Sequence, residues 1–357
     1  MLKPDENIQQ IIISSTSRFV GEYESENFLI THAHAQNATC RASGLGENPY
    51  CRNYYVVAFK ATQQERAPGV VIPDYSGVGE LFCLYLSVLF GKRFDNHGMI
   101  QGSGHFYLPN MDMNRPTAFS NIGIHNHLPR KGLEIELNFS EVKRIEKLVC
   151  VGEIPEDIAN IIMSAARFYL RSIRIFEEEP ELAFLDFITC GEILSNYFPY
   201  SDEELFDERL LNIFNEIESQ LERGGSISSD LKNRLYQVKR KYSITICKLL
   251  NDYFFSYSES NNSFGSLTKD SIEKRIKASY DLRSQYVHTG GNFGSWLAPN
   301  NADQWEFHSG TPVGLPPKLT RLIVETPTYI GMERIMRYCL LRFIHLYSGN
   351  LIDSRLD

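Results

Sequence analysis

The chain has 357 residues, 43% of them hydrophobic, with 22 Phe and 19 Tyr, enough for one large or two medium cored domains and too apolar for a disordered chain. Its formal net charge of −8 excludes a global basic field, so any nucleic acid must be held by a local patch. The seven cysteines are scattered without a CxxC pair, which fits a reducing compartment rather than a disulfide framework, and no apolar run reaches the roughly 18 residues of a membrane span.

The opening stretch, MLKPDENIQQIIISSTSRF, holds a short apolar patch and no signal-peptide core. A cytoplasmic protein without a membrane segment is therefore expected. Next comes THAHAQNATC. His32 and His34 at i and i+2 would point to one side of a strand. With Cys40 and Cys51 they are a conceivable zinc set, but the spacing matches no common finger, and surface or loop histidines are the expected reading. Neither a metal nor a cofactor is expected.

Short runs bounded by turn formers predict strands over 53–61 (NYYVVAFKA), 69–73 (GVVIP) and 132–139 (GLEIELNF). Residues 79–94 have helical length and an apolar face, and predict a helix packed on a small sheet. The glycine-rich segment 98–110 follows no phosphate-loop spacing and reads as a turn between strands. The segment 123–129 places His125 and His127 beside Arg130 and Lys131. It reads as a solvated turn, with a basic RNA-contacting loop as the alternative.

Near residue 152 the periodicity becomes helical. Helices are predicted over 155–179, over 180–198 and over 201–225, the last with a Ser201/Glu204 capping box and Gly224–Gly225 as terminator. A long helix follows over 228–258, kinked around Ser243–Ile246, then one over 267–291 and a last one over 328–349. Gly, Pro and Asn fill an insertion at about 292–325, where Trp296 and Trp305 could stack on bases or anchor the loop to the core. The fold class expected is α+β: a strand-rich region over 1–150, then an all-α bundle over 151–357. Arg234, Lys239, Arg240, Lys241 and Lys248, placed on one predicted helix, form the best local basic patch; a solvated helix face is the plainer reading, an RNA track the sharper one.

The end of the fifth helix, IKASYDLRSQYVHTGG (276–291), carries the chemistry. Ile272, Ile276, Tyr280 and either Tyr286 or Val287 form its predicted buried stripe, and Gly290 and Gly291 stand where a left-handed cap would end it. Arg283 and His288 flank the last turn, about 140° apart on an ideal helix. A guanidinium can hold two phosphate oxygens, an imidazole exchanges protons near neutrality, and RNA supplies its own nucleophile in the 2′-hydroxyl. The bland reading is a pair of cations placed favourably at a helix C-terminus.

LRSQYVHTGG resembles the Arg-x4–6-His motif of the HEPN superfamily (higher eukaryotes and prokaryotes nucleotide-binding), and its form is most similar to the Apea-like branch. FITCGEILSNYF (187–198) is similar to the early HEPN helix that sets a glutamate, here Glu192, near that motif. The resemblance covers roughly 155–348. It implies a metal-independent endoribonuclease in which Arg283 contacts the scissile phosphate, His288 transfers protons and Glu192 orients the arginine or helps bind substrate. Ser284 and Tyr286, on the same turns, would be further RNA contacts. It also implies a homodimer with two such pairs in one cleft, a toxin or antiphage role, and a regulatory or antitoxin partner protein. Many HEPN ribonucleases carry Asn, Asp or His directly after the arginine; this chain has Ser284. Some family members are non-catalytic binding or dimerisation modules, and that is the alternative function.

Overall fold

The structure is a computed structural model that describes residues 6–33, 52–62, 68–69, 75–102, 104–110, 117–150, 152–299, 304–308, 310–349 and 351–357. The fold is α+β. Strands β1 (Glu6–Ser15), β2 (Tyr23–Glu24), β3 (Phe28–Ala33), β4 (Asn53–Thr62), β5 (Phe94–Gly102) and β6 (His105–Phe106) form one sheet in the order β2-β3-β4-β1-β5-β6. Every neighbouring pair is antiparallel, and β1 pairs with β4 along its whole length. Helix α1 (Ser76–Phe90) packs on β5 and β1 and turns its other side to the helical half.

The strand predicted over 53–61 is β4. Most of the one predicted over 69–73 lies outside the described residues. The alternation over 132–139 buries Leu133, Ile135 and Leu137, yet builds no ladder. Its bridge is to Val20, whose N–H donates to the Leu137 carbonyl while Phe139 N–H donates to that of Val20. The helix predicted over 79–94 stops at Phe90. Gly91 caps it, and Lys92 swings into the interior, where its ammonium donates to the carbonyls of Gly123 (2.6 Å) and Asn126 (2.9 Å). Phe94 then starts β5. Segment 98–110 holds the hairpin between β5 and β6.

The helical half comprises α2 (Glu146–Val149), α3 (Glu156–Ile175), α4 (Pro180–Ser195), α5 (Asp202–Leu205), α6 (Glu208–Gln220), α7 (Gly224–Arg234), α8 (Val238–Leu249), α9 (Asp252–Ser256), α10 (Lys269–Thr289), α11 (Gly294–Leu297), α12 (Pro317–Glu325) and α13 (Tyr329–Ser348). The predicted third helix is broken. Its Ser201/Glu204 capping box forms and opens α5, but Phe206 turns extended into the core and Asp207 caps a new helix, α6. Gly224 and Gly225 open α7 instead of ending a helix. The predicted long fourth helix breaks at Tyr236–Gln237, which take φ of 32° and 43°, and again at Leu250. Ser243–Ile246, where the kink was expected, is regular α8.

Helix α13 is the axis of the helical half, buried on all sides over 329–341 and packed against α1, α3, α4 and α8. Apolar side chains of the sheet, α1 and the helices belong to one continuous core. Its buried charges are compensated. Arg130 donates to Glu259 (2.7 and 2.6 Å) and Glu333 (2.9 Å at Oε1), and Arg334 donates to Glu306 (2.9 Å). The segment 123–129 is a turn with Leu128 exposed, but His125 and Arg130 are 2% and 3% exposed, so these two are not on the solvated or RNA-contacting surface expected of them. These side chains are drawn inward by partners distant in sequence. No described helix is long and apolar enough to cross a membrane.

Candidate functional site

Helix α10 runs through the predicted motif and ends where the glycines fall. Gly290 takes φ +65°, and its N–H donates to the Tyr286 carbonyl at 2.8 Å. A side chain at that φ would be strained, so the glycine fixes the stop. The buried stripe is Ile272, Ile276 and Leu282. Tyr280 is half-buried; Tyr286 packs edge-on against Phe293, while Val287 is 56% exposed.

Arg283 turns toward α4. Its Nη2 lies 3.9 Å from Oε2 of Glu192, a charge contact longer than a hydrogen bond, and its guanidinium carbon lies 5.6 Å from the Tyr280 ring centre. Burial, and then the carboxylate of Glu192 to which it is hydrogen-bonded, push the Tyr280 hydroxyl above its usual range. Glu192 thus serves Tyr280 and Arg283 together. The Arg283 side chain keeps a third of its surface exposed.

His288 is exposed and looks elsewhere. It lines an open groove of about 590 Å³ between α10 and α12, together with Asp281, Ser284, Gln285, Lys318 and Arg321. Arg283 does not line this groove, and no contact joins Arg283 to His288 among the described residues. The fold therefore brings Arg283 to Glu192 and Ser284 to His288. The two halves of the motif sit on different sides of one helix, as their spacing requires.

The predicted basic patch is divided. Arg234 ends α7, and the break at Tyr236–Gln237 separates it from Lys239, Arg240 and Lys241 on α8. Lys239 holds both oxygens of Asp281, at 2.6 and 2.7 Å, beside the motif. Lys241 lies over the Tyr200 ring, and Lys248 pairs with Glu204 at 2.6 Å. In the insertion Trp296 packs on the core and Trp305 against Gly265, so both anchor. On β3, the Nε2 of His32 lies 3.0 Å from the Gly21 carbonyl oxygen; His34, Cys40 and Cys51 fall outside the described residues.

Sequence reasoning missed α12 and with it Lys318, Arg321 and the groove. The signal was present: Pro316 and Pro317 start a helix whose Leu319, Leu322 and Ile323 repeat at helical spacing. Comparison of the chain with protein-family models, curated proteins and solved structures finds no match.

Proposed function

We propose that the protein is a metal-independent endoribonuclease of HEPN type, acting as a homodimer in a toxin or antiphage role. The observation that carries this reading is the exposed end of α10, which presents Arg283 backed by Glu192 and, one turn on, a solvent-facing His288. In this scheme His288 takes the proton of a ribose 2′-hydroxyl. The freed oxygen attacks phosphorus, the bond to the 5′ oxygen breaks, and that oxygen leaves with a proton given by the imidazolium of the second copy or by water. The products are a 2′,3′-cyclic phosphate and a 5′-hydroxyl end. Arg283 offsets the charge that builds on the phosphate oxygens. A second copy set against the same helix end would place two arginines and two histidines along one cleft and concentrate positive charge there in an acidic chain.

The test is incubation of the protein with tRNA, rRNA and a synthetic single strand in the presence of EDTA, followed by mapping of product ends. Cyclic phosphate ends made by the wild type and absent with Arg283→Ala/His288→Ala support the reading. A correctly folded wild type that cuts no RNA, with or without added partner proteins, ends it.

A second reading is favoured by one specific observation: Arg283 is turned to Glu192, with no contact to His288. On that reading the bundle is a non-catalytic HEPN module that binds RNA or a partner protein. Binding would then survive His288→Ala, and neither version would leave cleavage products.

A further inference from the structure

We infer that the groove between α10 and α12 is a track for single-stranded RNA, with Lys318 and Arg321 holding its phosphates. This rests on the ribonuclease reading for the identity of the strand, and on the groove itself for the anionic ligand.

The groove is locally basic in an acidic chain. Its two carboxylates are already engaged: Asp281 by Lys239 at 2.6 Å, and Glu325 by Lys274 and Arg321, each at 3.0 Å. Lys318 and Arg321 line the groove with the two carboxylates, while Lys239 and Lys274 pair with those carboxylates from outside the lining, so this cluster of four cations and two carboxylates sums to +2 where the whole chain carries −8. Lys318 has no ion pair or hydrogen bond among the described residues, and Arg321 is 76% exposed, so both can meet a phosphate without first being unburied. Gln285 also lines the groove, with its Oε1 buried and without a hydrogen-bond partner among the described residues.

Position gives the track its use. Ser284 and His288 lie on one wall, Lys318 and Arg321 on or beside the other. A strand held by α12 would lay its ribose against His288, while the neighbouring phosphate runs over the end of α10 toward Arg283.

The test measures binding by fluorescence anisotropy of a short labelled single-stranded oligoribonucleotide. Arg283→Ala serves as the background, because it removes turnover and lies outside the groove. In that background Lys318→Glu/Arg321→Glu is expected to weaken binding about tenfold or more. The slope of log affinity against log salt should flatten by about 1.4, the value for two lost phosphate contacts on a single strand. Glu325→Gln, which frees Arg321 and Lys274, is expected to tighten binding two- to threefold. Unchanged affinity and slope in the double variant would overturn the track even if the wild type cleaves RNA. Weakened binding in the double variant beside a wild type that never cleaves would keep the track and remove the nuclease.

Discussion

The carboxylate of Glu192 on α4 lies between the hydroxyl of Tyr280 and the guanidinium of Arg283, both on α10, with Arg283 3.9 Å away. One acidic side chain therefore fixes where the proposed phosphate-binding cation stands. Glu192→Gln keeps the shape and removes the charge. The cleavage rate should fall about ten- to a hundredfold, because a displaced guanidinium no longer meets the reacting phosphate. Stability should change by less than about 1 kcal/mol, since the pair is partly solvated. Cleavage rates beside urea midpoints separate the two effects. A rate equal to wild type would remove Glu192 from the site.

Arg130 ties three parts of the fold together. Its guanidinium donates to Glu259, to Glu333 on α13 and, at 3.0 Å, to the Gly91 carbonyl that ends α1. Tyr169 donates a further bond to Glu333 at 2.5 Å. Arg130→Ala would strand two buried carboxylates and should cost about 3–5 kcal/mol. Arg130→Lys should recover little, because an ammonium cannot reproduce the fork between both acids. Denaturant midpoints of the two variants, read with circular dichroism, check both statements; a loss under 1 kcal/mol for Arg130→Ala would show that the interior carries no such dependence.

How much of this was legible depended on how local each cause is. The end of α10 was readable because Gly290 and its flanking residues determine it within one turn. Helix α4 announced itself by Pro180 in its first turn. Strand β1, the centre of the sheet, did not read as a strand because the face that carries Ile11 and Ile13 also carries buried Gln9 and Ser15, and Ser14 is buried on the opposite face. Those polar residues are satisfied from afar: Ser15 donates to the Arg93 carbonyl at 2.7 Å and Ser14 meets His97 at 2.8 Å. Helix α13 hides its role likewise. Glu333, Arg334 and Arg337 make it read amphipathic, yet all three are buried against residues far along the chain, Arg130 among them. The groove, too, depends on α12 returning to α10, which no local pattern encodes.

Gly331 makes a testable point about that return. It lies in the first turn of α13, and a Cβ there would come within 2.1 Å of the Glu306 carbonyl oxygen, a backbone atom. Glu306 itself accepts the N–H groups of Glu259 and Leu267, each at 2.8 Å, and stitches the insertion to the bundle. Gly331→Ala should therefore push this segment away and destabilise the protein by about 2–4 kcal/mol. Limited proteolysis should cut first near residues 304–308. A variant with wild-type stability and proteolysis would show that the approach can relax freely.

Asp186 on α4 sets a pH dependence. It is 6% exposed, and its Oδ2, though 3.3 Å from Nε of Arg171, makes no hydrogen bond. Burial is the dominant effect and lifts its carboxyl from 3.8 to about 6, against the pull of Arg171. The folded value lies above the unfolded one, so the folded chain binds this proton more tightly. The contribution of Asp186 to stability is then greatest below about pH 4, declines as pH rises toward 6, and is level above. The full cost at neutral pH has a ceiling of about 3 kcal/mol, and partial solvation of the pair reduces it to about 1–2 kcal/mol. Asp186→Asn should accordingly raise stability at pH 7 by about that amount and give no gain near pH 4. Urea unfolding at the two pH values measures the difference directly. A gain of equal size at both would mean that the carboxyl titrates alike in the folded and unfolded chain.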